Sequence, residues 1–235
     1  MGKRIIQQRR GRGSNTYKVR RRGYKYLVQY PQSFDGKGIV IKLINSTAHT
    51  APLAKVECLD KKKFCFFMPA FKGMVEGQEI ELGGKEIKEG NIIKLKEIPI
   101  GTRVYNLETR NGDGGKLIKA GGSSAIINRI VNDDVFVILP SKKEKKFRGE
   151  CRATIGVCAG AGRLEKPFVK AGTKYHLKKS KGKLWPRTSA VKMNAIDHPF
   201  GSGRGKVPKP RIAKRNAPPG AKVGLIRPKR TGKKK

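Results

Sequence analysis

Asp197 and His198 stand side by side in the stretch Met193-Asn194-Ala195-Ile196-Asp197-His198-Pro199-Phe200-Gly201-Ser202-Gly203-Arg204-Gly205. A carboxylate that orients an imidazole can move protons near neutral pH. The same pair, in a glycine-rich loop flanked by cations, suits fixing a loop against RNA equally well. Neighbouring residues often point apart, and the sequence places no Ser or Cys nucleophile beside the pair. The loop-fixing role, with Asp197 orienting the ring, is therefore the reading the residues favour. His49 and His176 carry no comparable constellation.

Cys58, Cys65, Cys151 and Cys158 form two pairs with six intervening residues each. Zinc ligands normally come with two to four residues between the members of a pair. A six-residue gap reaches across a hairpin instead, and all four lie in or beside apolar stretches. Buried, reduced, structural cysteine is the expectation, with zinc as the alternative and no other metal or cofactor implied. Gly156, Gly160 and Gly162 lack the order and the following helix of a dinucleotide fingerprint. Asn111-Gly112-Asp113-Gly114-Gly115 lacks the alternating acids of a calcium loop and is expected to be a turn.

Arginine supplies the other chemistry. Arg9, Arg10 and Arg12 alternate with glycine, and Arg20, Arg21 and Arg22 follow. Guanidinium is planar, always charged and bidentate toward phosphate. Tyr17, Tyr24, Tyr26 and Tyr30 lie among these charges, so stacking on bases is available beside the phosphate contacts.

The chain holds 55 Lys and Arg against 17 Asp and Glu, a net charge of +38. That excess opposes compaction unless a polyanion offsets it. Residues 1–30 contain ten bases and no acid, residues 31–140 sixteen and thirteen, residues 141–198 sixteen and four, and residues 199–235 thirteen and none. A near-neutral body, a basic second part and two cationic tails follow from this distribution. The tails are expected to stay mobile until they meet their partner, because the segment beyond residue 200 has little to bury. The longest apolar run, Val135 to Leu139, cannot span a bilayer. Met1-Gly2-Lys3-Arg4 leads into charge, not into a secretory stretch, so a cytoplasmic chain is expected. A nucleic-acid packaging protein would share the charge but would have no need of a near-neutral body.

The elements that must position these residues read as strands. Short apolar or alternating runs recur at Gly38–Ile44, Lys55–Leu59, Phe64–Met68, Glu79–Leu82, Ile92–Leu95, Val135–Leu139 and Cys151–Val157. In the last of these, Cys151, Ala153, Ile155 and Val157 share one face while Arg152 and Thr154 take the other. One short helix is expected around Lys170–Lys179. Residues 31–170 are too many for one five-stranded barrel and comfortable for two, divided near Pro99-Ile100-Gly101. No helix is available to fill a DNA major groove, which directs the reading toward folded RNA.

The stretch from Met193 to Gly205 resembles the signature of the universal large-subunit ribosomal protein two family. Gln7-Gln8-Arg9-Arg10-Gly11-Arg12-Gly13, Pro99-Ile100-Gly101-Thr102, Ala120-Gly121-Gly122-Ser123-Ser124-Ala125 and Arg152-Ala153-Thr154-Ile155-Gly156 fall in family order. The likeness covers nearly the whole chain and is strongest to the archaeal branch. Two positions depart from the pattern: Phe200 stands where bacterial members carry a second His, and Ser202 where glycine is common.

The resemblance implies an all-β fold, an OB-fold barrel followed by an SH3-like barrel, with long basic extended tails. The expected division is an N-terminal extension at 1–30, the first barrel at 31–98, the second at 99–170 and a C-terminal extension at 171–235. It implies no enzyme and no cofactor. The expected role is a primary rRNA-binding constituent of the large ribosomal subunit in the cytoplasm, supporting assembly, subunit association, tRNA binding and the peptidyl-transferase region. Its partners would be large-subunit rRNA, neighbouring ribosomal proteins and small-subunit rRNA at the interface, with no membrane. The residues expected at RNA are Arg9, Arg10, Arg12, Arg20, Arg21, Arg22, Arg152, Arg163, Trp185, Arg187, Met193, Asn194, Asp197, His198, Arg204, Lys206 and Arg211.

Overall fold

The computed structural model describes residues 2–32, 35–59, 64–203 and 212–226. It divides into two compact units, Arg21–Ala171 and a second unit assembled from Met1–Arg20 with Gly172–Lys235.

The Arg21–Ala171 unit is all β. Its strands are β1 (Gly36–Ile44), β2 (Leu53–Cys58), β3 (Cys65–Pro69), β4 (Glu79–Leu82), β5 (Ile92–Lys94), β6 (Arg103–Tyr105), β7 (Ala125–Val131), β8 (Asp134–Ile138), β9 (Glu144–Arg148) and β10 (Arg152–Ile155). They hydrogen-bond in the order β3-β2-β1-β4-β5-β10-β6-β7-β8-β9. Bulges between Val40 and Lys42 and between Ile127 and Arg129 bend β1 and β7, as curving a sheet around a core requires. Each run read as a strand from the sequence overlaps one, and the run Cys151–Val157 is trimmed to Arg152–Ile155.

Two hydrophobic cores form, and β5 shows how. Successive side chains of a strand leave on opposite faces, so Ile92 packs into the first core with Val40, Val56, Met68 and Leu82. Ile93 packs into the second with Val104, Ile127, Val137 and Phe147. Each fully buried aliphatic side chain contributes roughly 1.5–3 kcal/mol. The architecture is the OB-like and SH3-like all-β type that the resemblance implies. Tyr105 and Cys158, both beyond Pro99, belong to the first core.

β10 corrects one expectation. All four of its residues are buried, including Arg152 and Thr154 on the face expected to be open. The polar face turns into the protein because it has partners there. Glu108 accepts from the Arg152 guanidinium at 2.9 Å and from its backbone N–H at 2.8 Å. Thr154 meets the Tyr30 hydroxyl, which donates to the Asn106 carbonyl at 2.7 Å. Burial pushes the Tyr30 hydroxyl pKa well up, so it stays protonated as a donor.

The cysteines divide differently from their spacing. Cys58 and Cys65 lie on the two strands of the β2–β3 hairpin but do not face each other: Cys65 pairs with Glu57 and is exposed, while Cys58 is buried. Cys151 and Cys158 bracket one strand and enter different cores. Burial pushes the Cys158 thiol up to about 12, which leaves it inert.

In the second unit, helix α1 (Ile6–Gly11) and helix α2 (Ala171–Ser180) accompany a short parallel pair, β11 (Ile212–Ala213) with β12 (Leu225–Ile226). α2 lies where the sequence placed a helix. The terminal segments are not two separate tails. The Lys3 N–H donates to the Ile196 carbonyl at 2.8 Å, Gly220 lies against the Gln8 amide, and Ile5 and Ala213 are buried.

Candidate nucleic-acid interface

The loop from Met193 to Ser202 is built by its own backbone. The Asn194 carbonyl accepts from the N–H groups of Asp197 (3.0 Å) and His198 (3.2 Å), and Ser202 N–H closes the loop onto the Met193 carbonyl at 3.1 Å. The His198 carbonyl accepts from Gly201 at 2.8 Å. A side chain at Gly201 would place its Cβ 2.2 Å from the Asn194 carbonyl oxygen. Only glycine lets the two strands of the loop pass.

His198 is buried, 7% exposed, and its Nδ1 accepts the Phe200 backbone N–H at 3.1 Å. Its ring also meets the Phe200 ring edge-on at 5.3 Å between centroids. Burial lowers its pKa from the ordinary value, and an accepting Nδ1 places the remaining proton on Nε2. Asp197 is half-buried, and among the described residues its carboxylate has no hydrogen bond or ion pair. The ring is therefore oriented by the Phe200 backbone and not by Asp197. Chemically this is a neutral imidazole that staples a loop, with one N–H left to donate.

The terminal unit gathers most of the expected residues. Arg9, Arg12, Arg20, Arg187 and Asn194 are exposed, while Arg10, Trp185 and Met193 are half-buried. Arg9 Nε donates to the Arg4 carbonyl at 3.1 Å, bracing the start of α1. Arg21 and Arg22 are exposed in a 3-10 turn, Arg21–Tyr24, of the other unit. Arg163 is exposed there too, with Nε donating to the Gly121 carbonyl at 3.0 Å. Arg204, Lys206 and Arg211 lie outside the described residues.

Arg152 does not belong with this set. It is 6% exposed and committed to Glu108, which is fully buried, so it holds the barrel interior and offers nothing to a phosphate. Tyr30 is likewise removed from the stacking set, being 1% exposed in the first core. Tyr26 packs on Phe67 with centroids 4.8 Å apart, whereas Tyr24 remains half open against His49. The Asn111–Gly115 turn is organised by Asp113. Its carboxylate accepts from the N–H groups of Thr109 (2.9 Å), Arg110 (3.2 Å) and Gly115 (3.1 Å). The Thr109 hydroxyl also donates to it, and together with these bonds it outweighs partial desolvation and holds the Asp113 pKa down.

Sequence reasoning passed over the lysines of α2. Lys174 Nζ lies 5.4 Å from the Trp185 ring and Lys179 Nζ 5.5 Å from Tyr175. The signal was present in the sequence as the chain's one tryptophan close behind a lysine-rich helix. The charge of this unit is lopsided. Its bases number seven in residues 1–20, seven in 172–198 and thirteen in 199–235, against one acid, Asp197. Ion pairs such as Lys94–Glu150 and Lys146–Asp134 all lie in the other unit among the described residues. No group of three or more His, Cys, Asp or Glu among the described residues could hold a metal. Nor is any described helix long and apolar enough to cross a membrane.

Residues 88–220 match the family model described as Ribosomal Proteins L2, C-terminal domain. The sequence is 46% identical over 237 residues to the large ribosomal subunit protein uL2 of Archaeoglobus fulgidus, with 99% of each chain covered. To the protein of the same description from Methanococcus maripaludis it is 45% identical over 245 residues, covering all of both. The corresponding protein of Korarchaeum cryptofilum is 43% identical over 242 residues, with all of this chain and 97% of the relative covered.

Proposed function

Because this chain belongs to the large ribosomal subunit protein uL2 family, we propose that it is a structural constituent of the large ribosomal subunit in the cytoplasm, where it binds rRNA and is not an enzyme. The observation that carries this reading is the segregation of charge. One unit holds 27 bases and a single acid, whereas the acids and bases of the β body pair within it. A polyanion supplies the missing counter-charge, and exposed arginines give bidentate contact with phosphate.

The finer reading follows the same residues. The barrels at 31–98 and 99–170 act as the rigid body. The extensions at 1–30 and 171–235 carry Arg9, Arg10, Arg12, Arg20, Arg21, Arg22, Trp185 and Arg187 to rRNA as a primary binder during assembly. Arg163, Arg204, Lys206 and Arg211 also contact rRNA. The loop with Met193, Asn194, Asp197 and His198 supports the RNA of the peptidyl-transferase region. Contacts with neighbouring ribosomal proteins, with small-subunit rRNA at the interface and with the tRNA-binding region complete the role. His198 serves by shape and hydrogen bonding, since its Nδ1 is occupied inside the loop.

The test is a chemical protection map of large-subunit rRNA with and without the full chain. Protection concentrated on discrete rRNA sites, weakened when residues 2–20 are deleted, is expected. Uniform protection, matched by equal affinity for bulk duplex DNA, would refute the reading in favour of nucleic-acid packaging.

A further inference from the structure

Residues 15–20 and the turn that follows α2 enclose a cavity of about 350 Å³. That lies at the small end of the roughly 300–1,000 Å³ typical of ligand sites, a size for one small group and not for a strand. Tyr17, Tyr175 and Trp185 line it. The turn can close against the N-terminal segment because residue 182 is glycine, at φ +61. A Cβ there would stand 3.1 Å from the Tyr17 carbonyl and 3.0 Å from the Val19 side chain. Lys18, Arg20 and Lys183 are exposed around the same cavity. Aromatic walls with a cationic rim combine a surface for a flat π system with counter-charge for a phosphate.

We propose that this cavity receives one unstacked nucleotide of single-stranded RNA, its base against Trp185 and Tyr17 and its phosphate held by Lys18, Arg20 and Lys183. The proposal rests on the RNA-binding reading above and adds to it a defined base-stacking site. An acidic peptide would satisfy the cations but would leave three aromatic side chains without a function. A continuous duplex would first have to unpair and unstack a base, at a cost of about a few kcal/mol that a single strand escapes.

Trp185 is the chain's only tryptophan, so its fluorescence reports this cavity alone. The full chain is titrated with an oligouridylate of eight nucleotides, a blunt RNA duplex, polyphosphate and polyglutamate, and binding of purified large-subunit rRNA is measured in the same buffer. The oligouridylate is expected to quench Trp185, while the other three bind without quenching. Trp185→Leu should weaken oligouridylate binding by about tenfold to a hundredfold, the worth of one base–aromatic stack. Trp185→Phe, which keeps an aromatic face, should retain most of the affinity. Lys183→Gln serves as a second variant that leaves the walls intact and should lower affinity without abolishing quenching at saturation. Equal quenching by polyphosphate or polyglutamate would make the cavity an anion site and overturn the proposal. Quenching by the duplex equal to that by the single strand would do the same. Binding to rRNA with no response of Trp185 to the single strand would sink the pocket alone. Failure of the chain to bind rRNA at all would instead remove the reading on which the pocket rests.

Discussion

Replacing His198 separates the two ways an imidazole can serve this loop. Its Nδ1 accepts the N–H of half-buried Phe200 at 3.1 Å, so His198→Ala strands that N–H without an acceptor. A fully buried unsatisfied donor costs about 1–3 kcal/mol, and this part-buried one the low end, about 1 kcal/mol, which is roughly fivefold in the population of opened loop. Asn carries an oxygen at nearly the position of Nδ1, whereas Gln carries its amide one bond farther out. The expected order of loop stability is therefore His198, then Asn, then Gln, then Ala. Amide hydrogen exchange in the full chain at Phe200, Gly201 and Ser202, corrected for intrinsic rates, reads this directly. The pH dependence adds a second measurement. Burial lowers the His198 pKa below its unfolded value of about 6.5, so the folded loop binds the proton less readily. The contribution of His198 is present in full above about pH 6.5 and fades as pH falls below it toward the depressed folded value. The Asn variant should show no such fading. If His198→Gln protects the loop as well as His198→Asn, or if His198→Ala leaves exchange unchanged, the stapling role is wrong.

Three further outcomes follow from the same geometry. Glu108→Gln and Arg152→Met should each destabilise the fold by about 3–5 kcal/mol in urea denaturation, because each leaves a buried charge unpaired; lower RNA affinity with unchanged stability would instead return Arg152 to the interface. Gly201→Ala should open the loop and block subunit incorporation, its Cβ being placed 2.2 Å from a carbonyl oxygen. Gly172→Ala in α2 meets nothing within 4 Å and should leave incorporation intact. If the basic segments neutralise on the order of ten phosphates, rRNA affinity should fall by roughly 10³ or more between 50 and 200 mM salt, and deleting residues 2–20 should flatten that slope.

Strands with an apolar face were legible in the sequence because burial acts on alternation. β4 was read at its observed bounds, Glu79–Leu82. β9, Glu144–Arg148, was not, because Phe147 is its only buried residue and its charges face outward. One of them, Glu144, pairs with Arg129 on β7. Pairing with β8 makes it a strand, and that partner is a tertiary fact. Arg152 was misplaced for the related reason that a polar residue in an alternating run reads as solvent-facing unless its counter-charge is known. Glu108 lies far away in sequence. In the signature loop the residue types were legible and the bond was not. Asp197 adjoins His198 in sequence, yet the acceptor geometry is set by the backbone two residues on.

The terminal unit joins the two ends of the polypeptide, with Lys3 bonded to Ile196 and Gly220 against Gln8. Synthesis is vectorial, so Lys3 and Gln8 are made well before Ile196 and Gly220. The β body is contiguous in sequence and can fold as soon as residue 171 has emerged. Residues 2–20 must wait through all of that time as a cationic nascent segment, and their contacts with Ile196 and Gly220 close long loops. A stretch made early is thus organised late. A nascent chain halted before residue 172 would present a finished body and an arm still free to engage a polyanion in any conformation.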